Sequence, residues 1–153
     1  MPAKNKGMQP PDRADYLGID SEGAEGAEQT VRFYFDAKYY AYATGDVGPL
    51  ESVTRSDCEV CVRVIEDVRE STSGEGEFYT KYSLEPRKLG ETALYREGLT
   101  HVYYAYLDGE IDVLDKDGNI ETHPAEIIHA GAFLIFEDGR WLLTSVSWRD
   151  EEL

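Results

Sequence analysis

Residues 21–45, SEGAEGAEQTVRFYFDAKYYAYATG, constrain the fold more than any other stretch of the chain. Placing them at about 100° per residue separates two helix faces. Glu25, Gln29, Arg32, Asp36 and Ala43 fall on one side, and Ala27, Thr30, Tyr34, Ala37 and Ala41 on the other. The second stripe is mostly small, so another backbone can approach it closely. Phe33 and Tyr40 border it on one flank, and Val31, Phe35 and Tyr42 on the other. A slim helix edged by aromatics suits the hollow of a bent sheet. Ser21 is the expected N-cap, with Glu22, Glu25 and Glu28 near the positive end of the helix dipole. Gly45 is the expected stop, because it tolerates positive φ.

A short helical turn with Pro49 near its start follows. Ser56-x-x-Glu59 reads as a capping box. The helix it opens carries Cys58, Cys61, Ile65 and Val68 on one side, and Glu59, Arg63, Glu66, Asp67 and Glu70 on the other. STSGEGE, residues 71–77, ends it in a loop. The remainder is β. Phe78, Thr80, Tyr82 and Leu84 alternate with polar or aromatic neighbours, and Pro86 marks an edge strand. Thr100–Leu107, Ile111–Leu114, Ala125–Phe136 and Arg140–Trp148 read as further strands, with Asp108-Gly109 and Asp138-Gly139 as turn signals. The expected fold class is α+β, with N-terminal helices packed on a strongly curved antiparallel sheet. Residues 1–20 read as a flexible N-terminal tail, because Pro2, Pro10 and Pro11 remove backbone donors and no periodicity is present. Tyr16, Leu17 and Ile19 are candidates to pack back from it. Residues 21–150 form a single domain in this reading.

Charge narrows the partners. The 153 residues hold 15 Lys and Arg against 31 Asp and Glu, a net of -16. Such a surface repels phosphate backbones and anionic membranes, so no nucleic-acid role is expected. No apolar run reaches the roughly 18 residues of a membrane span, and MPAKNKGMQPPDRAD contains no signal-peptide core.

GAEQTVRFYFDAKYYAYATGD, then DCEVC, then FEDGRWLLTSVSW resemble an actinobacterial family of extracytoplasmic lipoproteins of unknown function. The resemblance spans roughly residues 22–149. It is most specific at Tyr42, Ala43, Gly45 and Asp46, and at Asp57-Cys58-x-x-Cys61. It implies a nuclear-transport-factor-2-like (NTF2-like, SnoaL-like) cone, with helices in the concave side of a bent sheet. It also implies an address outside the cytoplasmic membrane, reached through a lipid anchor that this sequence does not show; a cytoplasmic address is the alternative. It implies no catalytic residues.

Candidate chemistry is sparse. Cys58 and Cys61 admit three readings: a short-range structural disulfide, free buried thiols, or a redox pair at a helix start. Zinc would need two further ligands. The disulfide reading is preferred, since the βαβ context of redox motifs is missing. Asp115-x-Asp117-Gly118-Asn119 hints at a calcium loop, but its Gly comes two positions early and a hairpin turn fits better. His129 lies in the apolar run IIHAGAF and is a candidate base if it faces a cavity beside an acid. His101 and His123 are weaker candidates. Tyr34, Tyr104 and His129 are the candidate pocket-lining residues, with Tyr103 and Tyr106 beside them. Both alternating sets of Thr100–Leu107 are apolar, so the concave face is left open. No cofactor and no metal are expected. The preferred function is a non-enzymatic cell-envelope domain, monomer or weak dimer, that binds a protein or a small apolar ligand. The alternative is a cone-cavity isomerase, dehydratase or cyclase.

Overall fold

The computed structural model of the chain describes residues 1–74, 76–80, 87–96 and 99–152. Among the described residues three α-helices precede the strands: α1 (Ala24–Thr44), α2 (Gly48–Glu51) and α3 (Glu59–Thr72). Seven strands follow among the described residues: β1 (Phe78–Tyr79), β2 (Arg87–Arg96), β3 (Leu99–Asp108), β4 (Ile111–Leu114), β5 (Ile120–His123), β6 (Glu126–Glu137) and β7 (Arg140–Glu152). They form a four-stranded sheet in the order β2-β3-β6-β7 and a three-stranded sheet in the order β1-β4-β5, all ladders antiparallel. Bulges between Lys88 and Gly90 and between Phe133 and Leu134 bend the larger sheet.

The small stripe of α1 lies against this sheet. Ala27, Thr30, Tyr34, Ala37 and Ala41 are all fully buried. Opposite them stand Val102, Tyr104 and Tyr106 of β3 and Ile128, Ala130, Ala132 and Leu134 of β6. Trp141, Leu143 and Val146 of β7 join the same core, as do Leu50 of α2 and Cys61, Val64 and Val68 of α3. The concave face is therefore the even-numbered set on β3 and β6. Asp138 and Gly139 both take positive φ, 52° and 81°, as the mirror-image hairpin turn between β6 and β7 requires.

Local departures from the sequence reading have tertiary causes. The cap of α1 is Gly23 rather than Ser21, whose carbonyl instead accepts a bond from the Trp141 indole at 2.8 Å. The chain folds back so tightly there that a Cβ on Gly26 would sit 1.9 Å from the Ser21 carbonyl oxygen. The cap of α3 is Cys58 rather than Ser56. The preceding segment is held on β7 by bonds from Arg55 N to Leu143 O and from Leu143 N to Val53 O, which delays the helix. Ala43, placed on the outer face, is fully buried. Asp108-Gly109 is no hairpin but the passage from one sheet to the other. Pro86 and the strand expected over residues 81–84 lie outside the described residues.

Candidate functional site

Residues 1–20, read as a tail, carry two 3-10 turns and fold across α1. Asn5 is the pin. Its side chain is buried, and its Nδ2 donates to Ala43 O at 2.8 Å and Tyr79 O at 2.7 Å. Ala43 O belongs to the last turn of α1, where a carbonyl lacks an intrahelical partner, so Asn5 caps the helix from outside. Further along, Tyr16 packs edge-on against Phe33 and lies under the Arg32 guanidinium, 5.1 Å from its ring centre. Its hydroxyl donates to Asp36 Oδ2.

A cavity of about 940 Å³ opens between this segment and the mouth of the bent sheet. Lys4, Lys6 and Met8 form one wall, and Arg32, Phe35, Asp36 and Tyr39 of α1 form another. Tyr104 and Tyr106 of β3 make the floor, with Lys88 of β2 at the rim. The volume lies within the range of roughly 300–1,000 Å³ typical of small-molecule sites. Burial pushes the Asp36 carboxyl above its ordinary value, against the opposing pull of the Tyr16 bond and the Arg32 charge. Burial, then the Asp36 charge, raises the Tyr16 hydroxyl, which keeps it a protonated donor.

A second cavity of about 230 Å³ lies behind a wall of Phe35, Tyr39 and Tyr106, which both cavities share. The Lys38 ammonium sits 4.6 Å from the Trp148 ring centre and 5.6 Å from that of Tyr42. Asp108, Glu126 and Asp150 line the space around it. Burial lowers the Lys38 pKa although Asp108 and Asp150 favour its charge, and burial followed by Asp150 and Asp108 raises Glu126. Among the described residues no His, Cys, Asp and Glu group of three or more is placed to hold a metal ion.

The residues named from sequence go to separate places. Tyr104 lines the larger cavity. Tyr34 is fully buried in the core, edge-on to Phe35 at 5.2 Å, and its hydroxyl has no hydrogen-bond partner among the described residues. His129 stands on the convex face. Its Nδ1 lies 2.5 Å from the Tyr103 hydroxyl and its Nε2 2.7 Å from Glu151 Oε2. It thus has the acid sought for a base, but outside the cone. Cys58 and Cys61 form a buried disulfide. Asp115 accepts the backbone N–H groups of Asp117 and Asn119 at 2.9 and 2.8 Å, so its carboxylate organises the hairpin loop. Lys4, Lys6, Tyr16, Arg32, Asp36 and Lys88 line the larger cavity without a motif that marks them in the sequence. Lys4-Asn5-Lys6, a basic pair in an acidic chain, was the one local signal for them.

A helix seated in the hollow of a bent antiparallel sheet, with a cavity at the mouth, defines an NTF2/cystatin-like cone protein. The chain belongs to a family of unknown function (DUF6318), whose profile matches residues 7–147. The intermembrane space region of the chloroplast protein ARC6 is similar in structure, with a TM-score of 0.59 at 15% identity over 84% of this chain and 98% of that one. So is an uncharacterised protein with a cystatin-like fold from Caulobacter vibrioides, with a TM-score of 0.50 at 9% identity over 83% and 90% of the two chains. At such identities the likeness speaks for the fold alone. No curated protein matches the chain.

Proposed function

We propose that the protein is a non-enzymatic ligand-binding domain that works outside the cytoplasmic membrane. The observation that carries the binding role is the aromatic cavity closed by the N-terminal segment, where Tyr16, Phe35, Tyr39, Tyr104 and Tyr106 surround space for a small molecule. Asp36 in this cavity is already engaged by Tyr16, and His129, the one histidine with an acid partner at hydrogen-bond distance among the described residues, faces away. The address rests on the Cys58–Cys61 disulfide, because such bonds persist in oxidising compartments. Attachment through a lipid belongs to the same proposal and is supported by the family resemblance. Among the described residues no helix is long and apolar enough to cross a membrane.

A cavity-filling change tests the binding role. Tyr104→Trp is expected to keep the fold and to abolish saturable binding of hydrophobic naphthalene dyes. Unchanged binding would place the ligand elsewhere. A second reading, an isomerase, dehydratase or cyclase, draws on Asp36 and Tyr16 sharing an apolar cavity, which is how acid–base groups are tuned. Turnover of a small carbonyl compound that disappears in Asp36→Asn would favour it over simple binding.

A further inference from the structure

Resting on the ligand-binding reading, we infer that the larger cavity selects an organic anion with a flat apolar body, its charge met by Lys4, Lys6 and Arg32. The chain as a whole is strongly acidic, with 31 Asp and Glu against 15 Lys and Arg. Among the described residues that line this opening the balance reverses: Lys4, Lys6, Arg32 and Lys88 stand with one carboxylate, that of Asp36. That carboxylate is a weak deterrent. It accepts the Tyr16 hydroxyl, lies close to Arg32, and is shifted by burial toward its neutral form.

Lys4 and Lys6 are also available. Lys4 and Lys6 make no ion pair among the described residues, although acidic side chains outnumber them throughout the surface. They flank Asn5, whose two hydrogen bonds hold the segment over the opening, so both ammonium groups are delivered to the rim. Arg32 is fixed over the Tyr16 ring. Below this rim the walls are rings, which stack on a flat body at little entropic cost. A cationic ligand would meet like charge at Lys4 and Lys6, and a neutral one would leave both unused. A polyanion is too large for the cavity and is opposed by the net charge of -16, whereas a small anion inside it feels mainly its near neighbours, since screening acts within about 8 Å at physiological salt.

Two dyes that differ by one sulfonate separate charge from shape: 8-anilinonaphthalene-1-sulfonate and the uncharged N-phenyl-1-naphthylamine. Fluorescence titration of the folded chain at about 0.15 M salt is expected to give one site per chain, with the sulfonate held about tenfold more tightly. The double substitution Lys4→Glu with Lys6→Glu should erase that preference, Arg32→Gln should reduce it, and Lys4→Arg with Lys6→Arg should keep it. Circular dichroism confirms that the variants remain folded, as expected for exposed positions. If both dyes bind at one site with equal affinity, the anion assignment is overturned and the cavity reading survives. If neither binds at one site, both fall. If the glutamate variant keeps the full preference, these lysines are not the recognition groups and the assignment is wrong.

Discussion

The two cavities share the Phe35, Tyr39 and Tyr106 wall and carry opposite charge. The larger is rimmed by Lys4, Lys6, Arg32 and Lys88. The smaller holds one lysine among Asp108, Glu126 and Asp150. In the smaller, the cation is consumed: Lys38 lies over two aromatic rings and between carboxylates, so the space around it is a satisfied structural cluster. In the larger, the lysines of the N-terminal segment are unspent, and the space is wide enough for a guest. The lesson is that a charge says little about function until its partners are counted. Lys38 sits on the same helix as Arg32, six residues further on, yet serves the fold.

The strongest way to break the comparison is to remove the wall. Phe35 stacks parallel to Tyr104 at 6.2 Å and meets Tyr106 at 5.3 Å and Trp148 at 6.0 Å. Phe35→Ala is expected to cost about 3–5 kcal/mol in urea unfolding and to impair both cavities together. A loss confined to dye binding, with stability intact, would show that the wall is not shared structure.

Next in size is Lys38→Met, which leaves three carboxylates facing one another. We expect a loss of about 2 kcal/mol at neutral pH, less than full burial would give because the cluster is partly open to water. Acid should relieve it. The pKa of Glu126 is raised in the folded state from 4.5, so its stabilising protonation is complete below that value and is lost as pH rises through the folded pKa. The deficit of the variant should therefore shrink as pH falls toward 4.5. A deficit independent of pH would mean that lost packing of the lysine stem, rather than carboxylate repulsion, dominates.

The smallest effect sharpens the other side. Asn5→Ala removes the pin of the N-terminal segment and leaves two backbone carbonyls without their donor, at a cost of about 1–2 kcal/mol. Trypsin should then cut after Lys4, Lys6 and Arg13 faster than in the parent chain, while exchange protection around Lys38 stays unchanged. Equal cleavage rates would show that other contacts, such as Tyr16 on Phe33, hold the segment alone.

Much of the scaffold was legible because its cause is local. The small stripe of α1 follows from helical periodicity, and the residues read as its buried face are all fully enclosed. The Asp138-Gly139 turn is legible because few other pairs accept two positive φ values. The cavity was legible only in part. Tyr104 reaches it, whereas Tyr34, also expected there, is core and His129 is on the convex face. The β3 pattern is apolar in both phases, so alternation carried no preference for a face. Asp36 sits on the side of α1 that periodicity assigns to water, and only the returning N-terminal segment covers it.

The order of helices and strands, the apolar seam that joins them and the cysteine spacing that permits a ring across one helical turn are properties of the sequence itself, because each arises between residues close along the chain. Which sheet face is concave, where Lys4 and Lys6 come to rest, and whether a charge is spent or available were settled only in three dimensions. Those outcomes depend on contacts between residues far apart in the chain, such as Asn5 with Tyr79 or Ser21 with Trp141, and no local pattern encodes such a meeting.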